Sequence, residues 1–527
     1  MIVDAHMHLM EPEKGASGYA YLKRTGGAWG QVWDGGRLVG LLDACGFDKA
    51  VVFTGAGLYA NVDYRYFNDN LALTNRLYYI MGEGYYENYK EGATAEDYAL
   101  DFIDGVEADD ELDLIRQKWV AKDHGGWVPQ LEWSQDRGRL LVGGDWYTFH
   151  SSHWGDVLWA EGYMPGDFLP EYKYHEYTGD KDAFSLYANQ RYRVWGGLTA
   201  TVDLHFQHKE YSFKQKEVGN FEGDLRNAYT VDYDFFNPKA ALHYQVPGRV
   251  VSGSLAAYGS AGRNHREPTD NELFDTWQSG SDLGVQPLFR RSEERFKADG
   301  TVDYLEWYDP YVQEERVDDY ELGFSWQNPD LSFTVGGYWM DFQNEIVALG
   351  GVNDDGSSIR GNAGQTEHKG IEFGLNAKIA RNHGLALAAS KSWDTFNEFL
   401  YHDYDGTVND YSGNPISLFP GHLLMLSWDA EWIRGFTTRI RLRDTGKQYL
   451  DNTGTEERTI DPWTTVDLSF WFDLGRLGSE TLAGARAFVH LRNLGDTEYE
   501  TWGYYYGETY YTPAAGRKFA VGVDYDF

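Results

Sequence analysis

The C-terminal end of the chain carries the pattern that most constrains its fold. Every second residue from position 519 onward is apolar, namely Phe519, Val521, Val523, Tyr525 and Phe527. The intervening positions include Lys518, Asp524 and Asp526. This period of two predicts a strand with one apolar and one polar face. Because an apolar outward face and a polar inward face are typical of membrane barrels, the sequence predicts a transmembrane β-barrel.

The composition agrees with a barrel of this kind. The 527 residues include 39 Tyr and 19 Trp, which are the residue types of the two aromatic girdles. The mean hydropathy of −0.56 fits strands that face a polar lumen on one side. A net charge of −36 argues against nucleic acid as a partner, because binding requires neutralisation of phosphates. Cys45 is the single cysteine, so the chain forms no intrachain disulfide.

The first 70 residues have a different pattern, which predicts a short α/β (β-α-β) fragment. Residues 2–6 and 50–53 are apolar enough to be two buried strands. Between them, four residues recur at helical spacing: Leu38, Leu41, Leu42 and Cys45. The start of the chain, MIVDAHMHLM, has neither a basic region nor a long apolar region, so it predicts no signal peptide.

His6 and His8 lie at the end of the first predicted strand with one residue between them, so both imidazoles point to the same side. This arrangement can offer two ligands to a divalent metal, although a structural pair is the alternative interpretation. The segments VDAHMHL and GGRLVGLLDACGFDKAVVF resemble the N-terminus of the amidohydrolase family, which are TIM-barrel metal hydrolases. The resemblance covers residues 1–70 and implies only His6 and His8 as metal ligands. Since a TIM barrel needs about 250 residues, we expect an incomplete barrel, no cofactor and no enzymatic activity.

The remainder of the chain reads as roughly sixteen strand-like segments joined by alternately short and long connections. The long loops are predicted near residues 152–183, 213–230, 264–315, 347–366, 401–416 and 500–514. Short turns on one rim and long loops on the other are the outer-membrane pattern. Arg439, Arg441 and Arg443 alternate with apolar residues, and we expect all three to face the lumen because arginine is costly at lipid depth. A soluble sandwich with these arginines on its wet face is the alternative.

Seven motifs in order resemble the C-terminal barrel of a TonB-dependent receptor over residues 71–527. They are LYYIMGEGYYENYK at 77–90, NPKA at 237–240, NHREPT at 264–269, YELGF at 320–324, HKGIEF at 368–373, NLGD at 493–496 and PAAGR at 513–517. The resemblance implies an all-β, antiparallel transmembrane barrel of a type with about 22 strands. It also implies uptake of a scarce nutrient (siderophore, cobalamin or oligosaccharide), an outer-membrane location, contact with the lipid bilayer and coupling to TonB.

The chain departs from that family pattern in several respects. No plug, TonB box or export signal is recognisable, and about six strands are missing from the expected number. We therefore expect a truncated barrel without activity as a fusion. Two further interpretations are an amidohydrolase-like metal-dependent hydrolase fragment and a rearranged gene that joins two broken domains near residues 58–72.

The barrel segment contains no catalytic constellation, so the candidate site residues are ligand-facing ones. Arg263, His265 and Arg266 lie at the base of a long loop, where they can contact an anionic ligand or pair with nearby acids. Three aromatic residues near the C-terminus can stack on a ligand or belong to the outer girdle: Trp502, Tyr504 and Tyr505.

Overall fold

The computed structural model describes residues 7–8, 50–54, 70–163, 172–218, 226–248, 253–273, 287–352, 358–402, 407–478 and 480–525. Nearly all of its regular structure is β-strand. The strands are β1 (Met7–His8), β2 (Ala50–Thr54), β3 (Leu71–Thr94), β4 (Glu111–Gln135), β5 (Gly138–Ala160), β6 (His175–Trp195), β7 (Leu198–Val218), β8 (Arg226–Gln245), β9 (Ser254–Arg266), β10 (Phe289–Phe296), β11 (Val302–Pro310), β12 (Glu315–Gln327), β13 (Leu331–Gln343), β14 (Ile346–Val352), β15 (Ser358–Asn362), β16 (Gln365–Ala380), β17 (His383–Glu398), β18 (Leu400–His402), β19 (Val408–Asp410), β20 (His422–Ile433), β21 (Phe436–Thr445), β22 (Gln448–Tyr449), β23 (Thr459–Ile460), β24 (Trp463–Asp473), β25 (Ala485–Arg492), β26 (Glu500–Tyr506), β27 (Glu508–Pro513) and β28 (Lys518–Tyr525). Short 3-10 helices occupy Glu96–Tyr98, Leu100–Phe102, Asp270–Glu272 and Glu480–Leu482. Within the described ranges, no helix is long and apolar enough to span a bilayer.

One large sheet dominates the described part of the chain. In chain order, β3 to β9, β12, β13, β16, β17, β20, β21, β24, β25 and β28 each pair antiparallel with the next strand in that series. These sixteen strands agree with the predicted number, and the all-β antiparallel prediction is confirmed.

The N-terminal strands are attached to the edge of this sheet. β1 pairs parallel with β2, and β2 pairs antiparallel with Glu83–Glu87 of β3. The predicted second strand at residues 50–53 is confirmed, and its parallel pairing is the one that a β-α-β connection requires. The predicted first strand at residues 2–6 and the predicted helix lie outside the described residues.

The pairing register places large apolar side chains on the outward face of the sheet. Trp127, Trp146 and Phe184 lie side by side on β4, β5 and β6 and form an upper row of aromatic residues. Trp133 and Trp195 lie near the short turns and belong to the lower row, and Trp195 is 67% exposed. The rows are 6 residues apart on β4 (Trp127 to Trp133) and 11 residues apart on β6 (Phe184 to Trp195), which is around the length that a tilted strand needs to cross an apolar band about 25 Å tall. These side chains therefore mark the membrane-spanning segments.

The opposite face of the same strands is polar and lines the lumen. On β21, Arg439 and Arg443 lie on this face and donate to Asp429 and Asp467 at 2.6 Å each. Arg441 lies directly opposite Asp467 in the register. The prediction that all three arginines face inward is confirmed, because the alternate residue Ile440 lies on the outward face beside Trp428 and Leu468.

The two rims of the sheet differ in their connections. Short turns such as Gly196–Gly197 and Arg434–Gly435 form one rim, and Gly196 and Gly435 adopt positive φ angles of 48° and 90°. The other rim, called here the outer rim, carries most of the long connections between the strands of the large sheet, whereas the short-turn rim has one longer connection, between β24 and β25. Two predicted loops are shorter than expected, because β5, β6, β7 and β8 extend through most of residues 152–183 and 213–230. Polar cross-strand pairs above the aromatic row keep these strands paired.

Candidate functional site

The outer rim is the part of the molecule where loops fold back over the lumen. The connection between β9 and β12 contains β10 and β11 and packs onto the inner face of β6, β7 and β8. Its buried residues Leu273, Phe289 and Trp307 contact a wall of Tyr177, Phe213, Tyr229 and Val231. Stacking of aromatic rings, with Phe213 and Tyr229 centroids 5.0 Å apart, makes this cluster a small core.

Strand β11 attaches this loop to the sheet itself. It runs parallel to the upper part of β8, with Tyr304 opposite Arg226 and Trp307 opposite Tyr229. The indole of Trp307 donates to the side-chain oxygen of Asn227 at 2.7 Å. Strand β11 therefore forms part of the wall.

Glu267 anchors the start of the same loop. Its carboxylate accepts from Lys181 on β6 at 2.7 Å and from Lys209 on β7 at 2.8 Å. Burial alone would raise the pKa of Glu267, but the hydrogen bonds from the two lysines outweigh burial and lower the pKa to about 2. Glu267 is thus a permanent anion that links the loop to two neighbouring strands.

The structure places the three predicted basic residues beside this anchor. Arg263 donates to both oxygens of Asp318, at 2.7 and 3.0 Å. Arg266 donates to the carboxylate of Glu272 at 3.2 Å. His265 shares a hydrogen bond of 2.7 Å with Asn237, and its ring is stacked on another aromatic ring. Both arginines are therefore ion-paired, and a ligand contact of these residues stays a prediction.

The three predicted aromatic residues lie on the separate hairpin of β26 and β27. Trp502 and Tyr504 have ring centroids 5.5 Å apart, and Tyr504 stacks on Tyr510 at 5.0 Å. The guanidinium of Arg458 lies 3.6 Å from the ring centre of Tyr505. Because the hairpin pairs outside the large sheet, these rings are not part of the upper aromatic row. Their role in ligand binding stays a prediction.

His368 forms a cluster that the sequence did not suggest as a site. Its Nδ1 donates to Asp394 at 2.8 Å and its Nε2 donates to Glu345 at 3.0 Å, and all three side chains are buried. Burial alone would lower the pKa of His368, but hydrogen bonds to the two carboxylates outweigh burial and raise the pKa to about 9. Both ring nitrogens donate only in the imidazolium form. Since Glu345 and Asp394 lie 23 and 26 positions away, no local motif reveals the cluster.

The cluster fixes the connection between β13 and β16. Glu345 lies immediately before β14 and also accepts from Thr366. Farther along, the side chain of Asn452 donates to the backbone oxygen of Ala348 at 2.7 Å, so a second loop is joined to the same hairpin. The loops over this side of the lumen are therefore fixed to one another and to the wall.

Below these loops, a cavity of about 690 Å³ opens on the lumen face of the wall. Its lumen-facing lining includes small or hydroxylic residues of β13, β16 and β17 and larger apolar residues of β20. Leu423 and Met425 of β20 face inward, because they lie opposite Thr445 and Arg443 in the register, and both side chains are exposed there. Exposed apolar side chains inside a polar lumen indicate a contact surface.

The predicted metal pair, His6 and His8, belongs to the N-terminal segment of the chain. His6 lies outside the described residues, and His8 is described only as a backbone position of β1. Throughout the described ranges, no group of three or more His, Cys, Asp or Glu side chains is arranged to hold a metal ion. The metal role of His6 and His8 stays a prediction.

Comparison with solved structures agrees with the barrel architecture. The ferric yersiniabactin uptake receptor FyuA from Yersinia pestis superposes with a TM-score of 0.57 and 13% identity, covering 88% of this chain and 60% of that chain. The siderophore receptor PiuA from Acinetobacter baumannii gives a TM-score of 0.59 and 14% identity, covering 87% of this chain and 62% of that chain. At such identities the likeness shows the fold alone.

Sequence comparison gives the family. The Pesticin receptor of Yersinia enterocolitica is 24% identical over 223 residues, which are 41% of this chain and 30% of that relative. The chain thus matches about a third of that curated relative and spans less than two thirds of either solved receptor. The family model described as "TonB dependent receptor-like, beta-barrel" matches residues 15–494. The chain therefore belongs to the TonB-dependent receptor β-barrel family of outer-membrane proteins.

Proposed function

We propose that this chain supplies the barrel of a receptor that takes up a scarce nutrient across the outer membrane. The observation that carries the proposal is the combination of an apolar outward band, a polar lumen and an outer rim whose long loops fold inward. A wall of this kind separates lipid from an aqueous path and concentrates contact groups at the outer entrance.

An iron chelate is the nutrient that the similar proteins favour. FyuA is named for ferric yersiniabactin and PiuA is a siderophore receptor. The outer rim offers aromatic rings and paired arginines, which are groups that contact planar and anionic chelates. TonB is the proposed energy-coupling partner, as in the family.

The first experiment establishes where the chain resides and how it folds. The chain is directed to the periplasm of a Gram-negative host that lacks its own iron receptors, and outer membranes are separated from inner membranes. We expect a heat-modifiable band in the outer-membrane fraction, because folded barrels migrate faster than boiled ones. Recovery of the chain only in soluble or aggregated fractions would contradict the membrane part of the proposal.

The second experiment measures transport. Radioactive iron is supplied as ferric chelates to matched cells with and without an intact TonB system. We expect uptake above the empty-vector control only when both TonB and the chain are present. Uptake that does not depend on TonB would identify an open pore, and membrane insertion without any uptake would reject the receptor proposal for this chain.

A further inference from the structure

Two neighbouring turns of the short-turn rim each carry an exposed arginine. Arg381 lies between β16 and β17, and Arg434 lies between β20 and β21. Neither forms an ion pair within the part of the chain that the structure describes. The backbone N–H of Glu431 donates to the carbonyl oxygen of Asn382 at 2.9 Å, and this bond joins the two turns. The two guanidinium groups are therefore carried by adjacent parts of one rim.

The other charged side chains near these turns are already engaged. Backbone hydrogen bonds join four described stretches in sequence: 328–330, 378–382, 431–435 and 473–478. Their charged residues are four cations and three carboxylates, namely Lys378, Arg381, Arg434 and Arg476 against Asp330, Glu431 and Asp473. Asp473 pairs with Arg476 at 3.1 Å, Asp330 lies 4.0 Å from Lys378, and Glu431 accepts from the backbone N–H of Gly435 at 3.1 Å. Within these stretches, the cations left without an ion pair are Arg381 and Arg434.

Three rings form an outward-facing cluster beside these arginines. The imidazole of His383 stacks on Trp428 with ring centroids 5.6 Å apart, and it meets Trp432 edge-on at 5.5 Å. The two indoles are themselves perpendicular, with centroids 5.7 Å apart. The Nε1 atom of Trp432 donates to the hydroxyl of Thr438 at 3.0 Å, which fixes the ring. Because Trp428 lies on the outward face of β20, the cluster faces the membrane and not the lumen.

Two β-bulges place apolar side chains at the same height. Ile379 on β16 and Trp432 on β20 are each the extra residue of a bulge, since the register shifts by one position around them. A bulge redirects its side chain, and these two are 58% and 53% exposed. Exposed apolar and indole side chains at the end of a barrel strand mark the boundary between acyl chains and headgroups. Arg381 and Arg434 come two residues after the bulges and therefore lie at headgroup level.

We propose that Arg381, Arg434 and the ring cluster of His383, Trp428 and Trp432 bind the headgroup of an anionic phospholipid. Short turns face the periplasm in outer-membrane barrels, so this lipid belongs to the inner leaflet. Its phosphate accepts hydrogen bonds from the guanidinium groups, whose planar fork suits phosphate geometry, while its glycerol and upper acyl chain pack on the exposed indole. A zwitterionic headgroup is disfavoured because its ammonium end is repelled by two unpaired arginines. The site requires only that the barrel is inserted, and it is independent of the proposed uptake.

Two lipids with identical acyl chains test the preference for negative charge. The full chain, folded in non-ionic detergent micelles, is titrated with phosphatidylglycerol or with phosphatidylethanolamine, and bound lipid is counted by native mass spectrometry. We expect phosphatidylglycerol to bind about tenfold more tightly, because each arginine at a membrane surface contributes about fivefold to the attraction of an anionic headgroup. Equal or tighter binding of phosphatidylethanolamine would overturn the proposal.

A matched pair of double variants locates the site. Arg381→Gln with Arg434→Gln removes both unpaired cations. Arg191→Gln with Arg193→Gln removes two exposed arginines near the same rim that lie on the lumen face of β6 and form no ion pair in the described ranges. We expect the first variant alone to lose about tenfold in affinity for phosphatidylglycerol, down to the affinity for phosphatidylethanolamine. Equal losses in both variants would assign the effect to the charge of the whole rim and overturn the site.

Two further variants separate the charge from the rings. Arg381→Lys with Arg434→Lys keeps both charges and should retain the preference for phosphatidylglycerol, and loss of that preference in the folded variant would overturn the role of charge. Trp432→Ala keeps the charges and removes the exposed ring, so it should weaken the binding of both lipids by a similar factor. Unchanged binding of both lipids in Trp432→Ala would overturn the role of the ring cluster. Heat modifiability confirms that each variant is folded before its affinity is compared.

Discussion

The part of the barrel above the membrane is built from long strands on one side and from separate hairpins on the other. On one side, β3 to β8 are 20 to 25 residues long and continue far above the upper aromatic row; we call this the tall wall. On the other side, β20, β21, β24, β25 and β28 have only 8 to 12 residues; we call this the low wall. Above the low wall, the outer rim is formed by the hairpins β22–β23 and β26–β27, which pair separately from the large sheet.

The difference shows which forces set strand length. Lipid fixes only the segment of about nine residues that crosses the apolar band. Beyond it, a strand continues where cross-strand pairs replace lipid contact, as in the stacked Trp119 and Trp154 rings, whose centroids are 5.6 Å apart. The low wall has short paired strands, and its loops instead bury their own side chains against one another.

The largest expected effects come from matched deletions of a buried ring on each side. Phe213→Ala opens the core beneath the tall wall, and Phe396→Ala opens the loop core next to the low wall; the two rings are 2% and 1% exposed. Each should cost about 3–5 kcal/mol. Hydrogen exchange read by mass spectrometry should show the first loss spreading along β7 and β8 and the second confined to residues 399–416. Equal spreading in both variants would contradict the distinction between the walls.

A charge placed at two heights on one strand tests the position of the lipid band. Val202 and Ser212 lie on the same outward face of β7, and Val202 lies within the apolar band. Val202→Arg should destabilise the folded barrel by about 2–4 kcal/mol, whereas Ser212→Arg should change stability little. Urea unfolding in lipid vesicles measures both. Similar losses would mean that lipid covers the tall wall to a greater height.

Acid should release the loop over the tall wall. The folded pKa of Glu267 is about 2, below its ordinary value of 4.5, so its contribution to stability is present above pH 4.5 and is lost as pH falls through about 2. Pepsin cleavage within residues 287–313 should therefore accelerate between pH 4.5 and 2. Glu267→Gln should remove this pH dependence, and an unchanged profile in that variant would exclude Glu267 as the anchor.

Alkali should release the hairpin of β14 and β15 near the low wall. The folded pKa of His368 is about 9, above its ordinary value of 6.5, so its contribution is fully present below pH 6.5 and is lost as pH rises through about 9. Subtilisin cleavage at residues 346–352 should accelerate over that interval in the native chain. His368→Gln should give a flat profile, and a persistent rise would assign the effect to another group.

The smallest effect concerns the outer surface of the tall wall. His208 and Asp234 form an ion pair at 2.9 Å, but their side chains are 43% and 65% exposed. Asp234→Asn should therefore change the free energy of unfolding by less than about 1 kcal/mol. A larger loss in urea unfolding would show that exposed ion pairs, rather than buried rings, sustain the height of this wall.

The sequence predicted the features that depend on lipid and missed those that depend on distant partners. Alternation at Phe519–Tyr525 predicted the last strand because lipid imposes an apolar face at every second residue. The same reasoning placed Arg439 and Arg443 in the lumen. The sequence pattern predicted β5 to β8 to be shorter than they are, because the upper parts of these strands lose the alternation where lipid no longer faces them.

The candidate site was less predictable than the wall. Arg263 and Arg266 were selected as charged residues beside a loop, yet their carboxylate partners are supplied by β12 and a 3-10 helix that only the fold brings near. The His368 cluster and the cavity at Arg443 arise from strands far apart in sequence. No spacing rule detects such pairs, because the register between strands decides which side chains meet.

The parallel pairing of β11 with β8 also constrains the order in which the molecule can assemble. Trp307 and Asn227 are 80 positions apart in sequence. Strand β9 pairs only with the lower part of β8, and β11 pairs with the upper part. Neighbouring hairpins can close as each pair of strands arrives, but this contact must wait until the whole intervening stretch has crossed the membrane. The junction of β8 and β11 therefore closes after the β7–β8 and β8–β9 hairpins, and a slow step in refolding should map to it.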